Sequence, residues 1–199
     1  MTNMQSTISK VFDSTGYVKV PEFLSPYMAR LFVDYFTNKI RKGEWQEREK
    51  NDYGKTPTSK FQCYADPLVE IMLKQQLETI EKIVGRGLYP TYSFARVYQE
   101  GEELKPHTDR PSCEISVTVN VMSPPWPIWM QYKDNDPSKF ILSAGDAVVY
   151  KGCEAMHWRR QLPNPDLCMQ FMLHYVIKDG DNKDYKFDKR TNLGMPPNK

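Results

Sequence analysis

The chain has 199 residues, 40% of them hydrophobic, and a net charge of +2 from 27 basic against 25 acidic side chains. That length fits a single domain with a sizeable core, and the balanced charge argues against a nucleic-acid partner, while no apolar run is long enough to cross a membrane. Cys63, Cys113, Cys153 and Cys168 show no C-x-x-C pairing and the first residues lack a signal-peptide pattern, so the expected setting is a reduced, cytoplasmic one.

Residues 1–15 read as a loose N-terminal arm, followed by a short strand over Tyr17–Val20 that Pro21 closes. Ser25-Pro26 is a helix start, with serine as cap and proline in the first turn. Met28, Leu31, Phe32, Tyr35, Phe36 and Ile40 then recur at helical spacing and predict one buried face. Residues 41–60 turn polar and charged around Trp45 and Tyr53, which fits either a solvated loop or a lid beside a cleft. Asp66-Pro67 starts a second helix, carrying Leu68, Ile71, Met72, Leu77, Ile80, Ile83 and Val84 up to a stop at Gly85.

From Pro90 the period changes to two. Strands are expected at Thr91–Tyr98, Glu114–Met122, Pro127–Lys133, Phe140–Ser143, Ala147–Lys151, Met156–Arg160 and Leu167–Lys178. The polar tail from Asp179 to 199 reads as a flexible extension. The fold class is therefore mainly β with flanking helices (α+β). Its expected core is an antiparallel double-sheet barrel, a double-stranded β-helix of jelly-roll or cupin type, over 91–178. The helices of 16–90 buttress it.

Three histidines are present, His107, His157 and His174. On an extended segment His107 and Asp109 point to the same side. An imidazole and a carboxylate so placed make two members of a two-histidine, one-carboxylate metal site that leaves other positions open; the third member is a histidine from another strand. His174 lies in an apolar strand with no carboxylate near it in sequence and is read as a hydrogen-bonded structural histidine. In Ile115–Val121 the valines share one side, and Ser116, Thr118 and Asn120 share the other, where they face either water or a pocket.

The order Tyr98, Gly101, Pro106, His107, Asp109, with Gly145-Asp146 through Gly152 and then His157-Trp158-Arg159, resembles the metal-site segments of prolyl-hydroxylase-like, 2-oxoglutarate-dependent oxygenases. The resemblance spans about residues 91–177, with a weaker echo at Gly16-Tyr17-Val18. It implies a dioxygenase in which His107, Asp109 and His157 hold Fe(II). The other reactants it implies are 2-oxoglutarate and O2, with ascorbate as an optional reductant. Hydroxylation of a small-molecule or peptide substrate, such as a prolyl or other amino-acid C–H, would release succinate and CO2. Such enzymes place a basic residue roughly ten positions past the distal histidine to clamp the far carboxylate of 2-oxoglutarate. Here Asp166, Leu167, Cys168 and Met169 stand in that region. Arg159 shares a face with His157 on an extended strand and is the expected clamp, ahead of Arg96 and Lys151, whereas Arg160 faces away. Tyr98, Thr118 and Asn120 are the further candidates for contact with 2-oxoglutarate. Arg110, Cys113, Glu114, Trp126, Trp129 and Trp158 are candidates for the substrate mouth. Two rival readings are a cupin-type metalloenzyme that does not use 2-oxoglutarate and an inactive barrel serving as a binding module.

Overall fold

The computed structural model describes residues 3–45, 61–163 and 166–195. Among the described residues, ten strands form two antiparallel sheets. In chain order they are β1 (Tyr17–Val20), β2 (Phe61–Tyr64), β3 (Leu88–Tyr98), β4 (Leu104–His107), β5 (Ile115–Met122), β6 (Ile128–Tyr132), β7 (Ser138–Phe140), β8 (Ala147–Lys151), β9 (Ala155–Arg159) and β10 (Cys168–Ile177). The larger sheet has the order β1-β8-β5-β10-β3-β2 and the smaller one β4-β9-β6-β7. Four α-helices accompany them among the described residues: α1 (Asn3–Thr15), α2 (Pro26–Arg41), α3 (Pro67–Gln75) and α4 (Leu77–Val84). No helix among the described residues is long and apolar enough to cross a membrane.

Strand alternation sorts the large sheet into two unlike faces. Val117, Val119 and Val121 of β5, Ala95 and Val97 of β3, and Phe171, Leu173 and Tyr175 of β10 pack with Phe32 and Phe36 of α2, Leu73 of α3 and Ile80 of α4 in the main core. Phe171 sits 4.7 Å from the Phe32 ring, and the Tyr175 hydroxyl donates to the Leu73 carbonyl at 2.8 Å. The alternate residues of the same strands face the small sheet.

The helix starts are built as their sequences dictate. The Ser25 side chain accepts from the Met28 amide, and Asp66 accepts from Leu68 and Val69, with proline next in each case. The second predicted helix is broken at Gln76 into α3 and α4, and Gly85 closes α4 in the left-handed conformation (φ 76°).

Three expectations change. Residues 3–15 are helical rather than a loose arm: Ile8 and Phe12, one turn apart, anchor α1 to the main core, with Phe12 only 1% exposed. The tail from 179 to 195 is docked. Its Arg190 is buried and donates to Glu70 Oε1 at 2.5 Å and to the Thr91 carbonyl at 3.0 Å, while the Gly194 amide donates to Glu70 Oε2. A polar composition concealed that docking because its charges are matched by partners far away in sequence. Trp45, read as part of a loop or lid, is buried 4.6 Å from the Phe36 ring, and the rest of that stretch, 46–60, lies outside the described residues.

Candidate metal centre

A cavity of about 530 Å³ opens between the two sheets. The large sheet contributes Tyr92, Phe94, Arg96 and Tyr98 from β3, Thr118 from β5, Tyr150 from β8 and Gln170, Met172 and His174 from β10. Leu104 and His107 of β4, Ile128 of β6 and His157 of β9 close it from the small sheet, with Asp109 just past the end of β4.

β4 and β9 are hydrogen-bonded neighbours, and His107 lies directly across from His157. Their rings are 4.3 Å apart. Each ring directs Nδ1 at a backbone carbonyl, that of Lys105 (2.8 Å) for His107 and that of Ala155 (3.0 Å) for His157. A carbonyl can only accept, so Nδ1 carries the proton and the Nε2 lone pair faces inward. Asp109 Oδ1 stands 3.7 Å from His107 Nε2 and 3.6 Å from His157 Nε2. Three acceptors thus meet at separations too long for hydrogen bonds among themselves, and all three ligand atoms lie within 4.8 Å of one another.

Burial sets the protonation of this group. It pushes His157 down to about 4, and burial followed by the neighbouring His157 lowers His107, so both imidazoles are neutral at pH 7. Burial also raises the Asp109 carboxyl, a cost that a divalent cation at the meeting point would reverse. Neutral imidazoles with oriented Nδ1–H bonds and one carboxylate fit Fe(II).

The carboxylate is positioned with care. The Asp109 amide donates to the Gly152 carbonyl at 2.8 Å. The Ser116 hydroxyl donates to Asp109 Oδ2 at 2.7 Å and lies 2.9 Å from His174 Nδ1. One carboxylate oxygen is therefore occupied and the other faces the histidines. A side chain at Gly152 would put its Cβ 2.6 Å from Asp109 Oδ2 and 2.7 Å from Ser116 Oγ, so only glycine fits there. His174 is hydrogen-bonded, as expected, and also part of the cavity wall beside the motif. Its partner Ser116 lies directly opposite it in the β5–β10 register, a pairing not readable from local sequence. Asp109, Cys113 and His174 form a second group of donor atoms within 4.8 Å. There Ser116 already engages the Asp109 and His174 atoms and burial keeps the Cys113 thiol protonated, so this set supports the first.

The remaining predicted residues divide. Tyr98 is fully buried in the cavity wall, and Thr118 lines it with its hydroxyl 3.3 Å from that of Tyr150. Asn120 is on the same face of β5 but donates to the Leu142 carbonyl at 2.8 Å, outside the cavity lining, where it ties down the loop before β8. Lys151 reaches Tyr132 and Asp13 and also stays outside the lining. Arg110 and Cys113 line the mouth; Glu114 instead accepts from the Ile177 amide, and Trp129 and Trp158 stack on each other at 6.3 Å.

Arg159 points inward, 3% exposed, one layer behind the cavity wall. It donates to the Trp126 carbonyl at 2.6 Å and to Gln170 Oε1, a cavity residue, at 3.1 Å, with its guanidinium over the Trp126 ring. Its Nε has no partner among the described residues, and neither does it have a carboxylate. Burial lowers this guanidinium, the mark of a cation lacking a counter-charge.

No family model matches the chain, and no curated protein matches it in sequence. Solved structures do match in shape. A prolyl-4-hydroxylase from Pseudomonas putida superposes with a TM-score of 0.67 at 15% identity, covering 86% of this chain and 98% of the other. A prolyl hydroxylase from Trichoplax adhaerens, solved with a peptide fragment of hypoxia inducible factor, gives 0.73 at 11% identity over 90% and 91%. HygX from Streptomyces hygroscopicus, with nickel and 2-oxoglutarate bound, gives 0.65 at 12% identity over 90% and 88%. The chain has the fold of these enzymes, and His107, Asp109 and His157 converge in the cavity between its two sheets.

Proposed function

We propose that this protein is a non-haem Fe(II)- and 2-oxoglutarate-dependent dioxygenase that hydroxylates a C–H bond, built on a double-stranded β-helix. The convergence of His107 Nε2, Asp109 Oδ1 and His157 Nε2 at the wall of one cavity carries the reading. Bound Fe(II) would supply the one-electron chemistry that couples O2 and 2-oxoglutarate to oxidation of the substrate, with succinate and CO2 as products. His107, Asp109 and His157 would hold the ion. Arg159 neutralises the far carboxylate of 2-oxoglutarate and Tyr98 donates to it. That buried, uncompensated arginine favours this reading over a metalloenzyme without 2-oxoglutarate. Phe94, Ile128, Met172 and the rings of Tyr92 and Tyr150 keep water from the reacting centre. A peptidyl or amino-acid C–H is the substrate class we favour, in line with the peptide-bound Trichoplax structure.

The test is turnover. Protein loaded with Fe(II) is expected to convert 2-oxoglutarate to succinate in air, and His107→Ala, Asp109→Ala and His157→Ala should each abolish it while keeping a folded circular-dichroism spectrum. Succinate production by all three variants would refute the assignment.

A further inference from the structure

Three arginines surround the cavity, and they differ in how their charge is met. Arg110 is neutralised by Asp188, whose oxygens accept from Nη1 at 3.0 Å and Nη2 at 2.8 Å. Arg159 is taken by the far carboxylate of 2-oxoglutarate under the function proposed above, on which this inference rests. Arg96 remains.

Arg96 lies on β3 and lines the cavity two residues before Tyr98. Its guanidinium sits 5.3 Å from the centres of both the Phe94 and Tyr98 rings, which hold its plane in place. Nη1 donates to the Tyr98 hydroxyl at 3.0 Å, and Nη2 reaches Gln62 Oε1 only at 3.5 Å. Both acceptors are neutral. Among the described residues the buried Nε has no partner and no carboxylate pairs with this side chain. The one carboxylate in the cavity wall, Asp109, is committed to the metal position and to Ser116. A half-buried arginine, fixed in orientation and short of an anion, selects for negative charge in whatever enters.

We infer that Arg96 anchors a carboxylate of the substrate, so that this enzyme acts on an acidic molecule: an amino acid or peptide presenting either a free α-carboxylate or an acidic side chain. The aromatic and methionine wall of Tyr92, Phe94 and Met172 beside it would take the apolar part of the same molecule.

The experiment is equilibrium binding to full-length protein loaded with Zn(II) and N-oxalylglycine, an unreactive mimic of 2-oxoglutarate. The probes are two panels of matched pairs. N-acetyl amino acids against their primary amides report an α-carboxylate, and N-acetyl aspartyl and glutamyl amides against the asparaginyl and glutaminyl amides report a side-chain carboxylate. In at least one panel an acid should bind about ten-fold or more tightly than its neutral partner. Arg96→Gln should bring the pair to parity, and Arg96→Lys, which keeps charge but loses the planar fork, should fall between. No acid preference in either panel overturns the inference, and so does a preference that survives in Arg96→Gln. A loss of N-oxalylglycine affinity in Arg96→Gln equal to that in Arg159→Ala also overturns it, because Arg96 would then be the clamp for 2-oxoglutarate. The measurement needs no turnover. An acid preference lost in Arg96→Gln, in a protein that makes no succinate, would therefore count against the oxygenase reading alone.

Discussion

The two faces of the six-stranded sheet are made by the same strands and do opposite work. On β10, Phe171, Leu173 and Tyr175 pack under the helices, while Gln170, Met172 and His174 line the cavity. On β3, Ala95 and Val97 belong to the core, and Phe94, Arg96 and Tyr98 face inward. The outer face is almost wholly apolar and closed. The inner face holds His174, which burial depresses to about 4, and Arg96, which has no described carboxylate partner, and it looks across the cavity at His107 and His157 of the small sheet. Stability is therefore concentrated on one side of each strand and ligand chemistry on the other, and the two should respond separately to substitution.

The largest expected effect comes from the outer face. Phe171→Ala should cost about 3–5 kcal/mol in urea unfolding, because a fully buried ring is removed from a packed cluster. Met172→Ala, the next residue and part of the cavity wall, should cost about 1 kcal/mol or less, since its side chain is only partly buried. Equal costs would dissolve the contrast between the faces.

Next in size is Arg159→Ala. Truncating one member of a desolvated arginine–carboxylate pair costs on the order of 2–5 kcal/mol, roughly 30-fold or more in affinity. The apparent KM for 2-oxoglutarate should rise by at least that factor, with Fe(II) binding retained. Arg160→Ala should barely move it, because Arg160 is exposed and directed over Trp129 on the outer side of the small sheet. Similar effects from the two variants would mean that the clamp lies elsewhere.

Ser116→Ala should have the smallest effect. It frees Asp109 Oδ2 while leaving His107, Asp109 and His157 in place, which under the proposed function should weaken Fe(II) about ten-fold, a magnitude usual for residues that orient a metal ligand. Global stability should fall by only about 1 kcal/mol. An unchanged Fe(II) affinity by anaerobic titration would show that the serine has no part in positioning the carboxylate.

Much of this division was legible in the sequence. Alternation in Ile115–Val121 separates the valines of the core from Ser116 and Thr118, and the same two-residue rule turns Arg159 inward with His157. His107 and His157 come together because β4 and β9 pair with the two histidines directly opposite each other, and Asp109 follows just past the end of β4. What escaped depends on contacts across long sequence separations. Helix α1 has Ile8, Val11 and Phe12 at helical spacing, but so short a stripe in a polar stretch does not stand out from a loose arm, and packing on α4 holds it. The tail docks through Arg190 on Glu70, and β4 is four residues long and defined by pairing with β9. Asn120 follows the alternation of its strand and still misses the cavity, since a nearby loop carbonyl claims its amide. Arg96 drew attention only as a substitute for Arg159; its lack of an anion emerges once Gln62 and Tyr98 are seen as its partners.

The central claim is that His107, Asp109 and His157, on the small-sheet side of the cavity, form one metal site, and anaerobic Fe(II) titration followed by calorimetry tests it most directly. The account predicts one Fe(II) per chain in the wild type, 2-oxoglutarate binding that depends on that ion, and loss of both in His157→Ala with the fold preserved. A wild type that takes up no Fe(II), or a His157→Ala variant that binds the ion as tightly as the wild type, would contradict it.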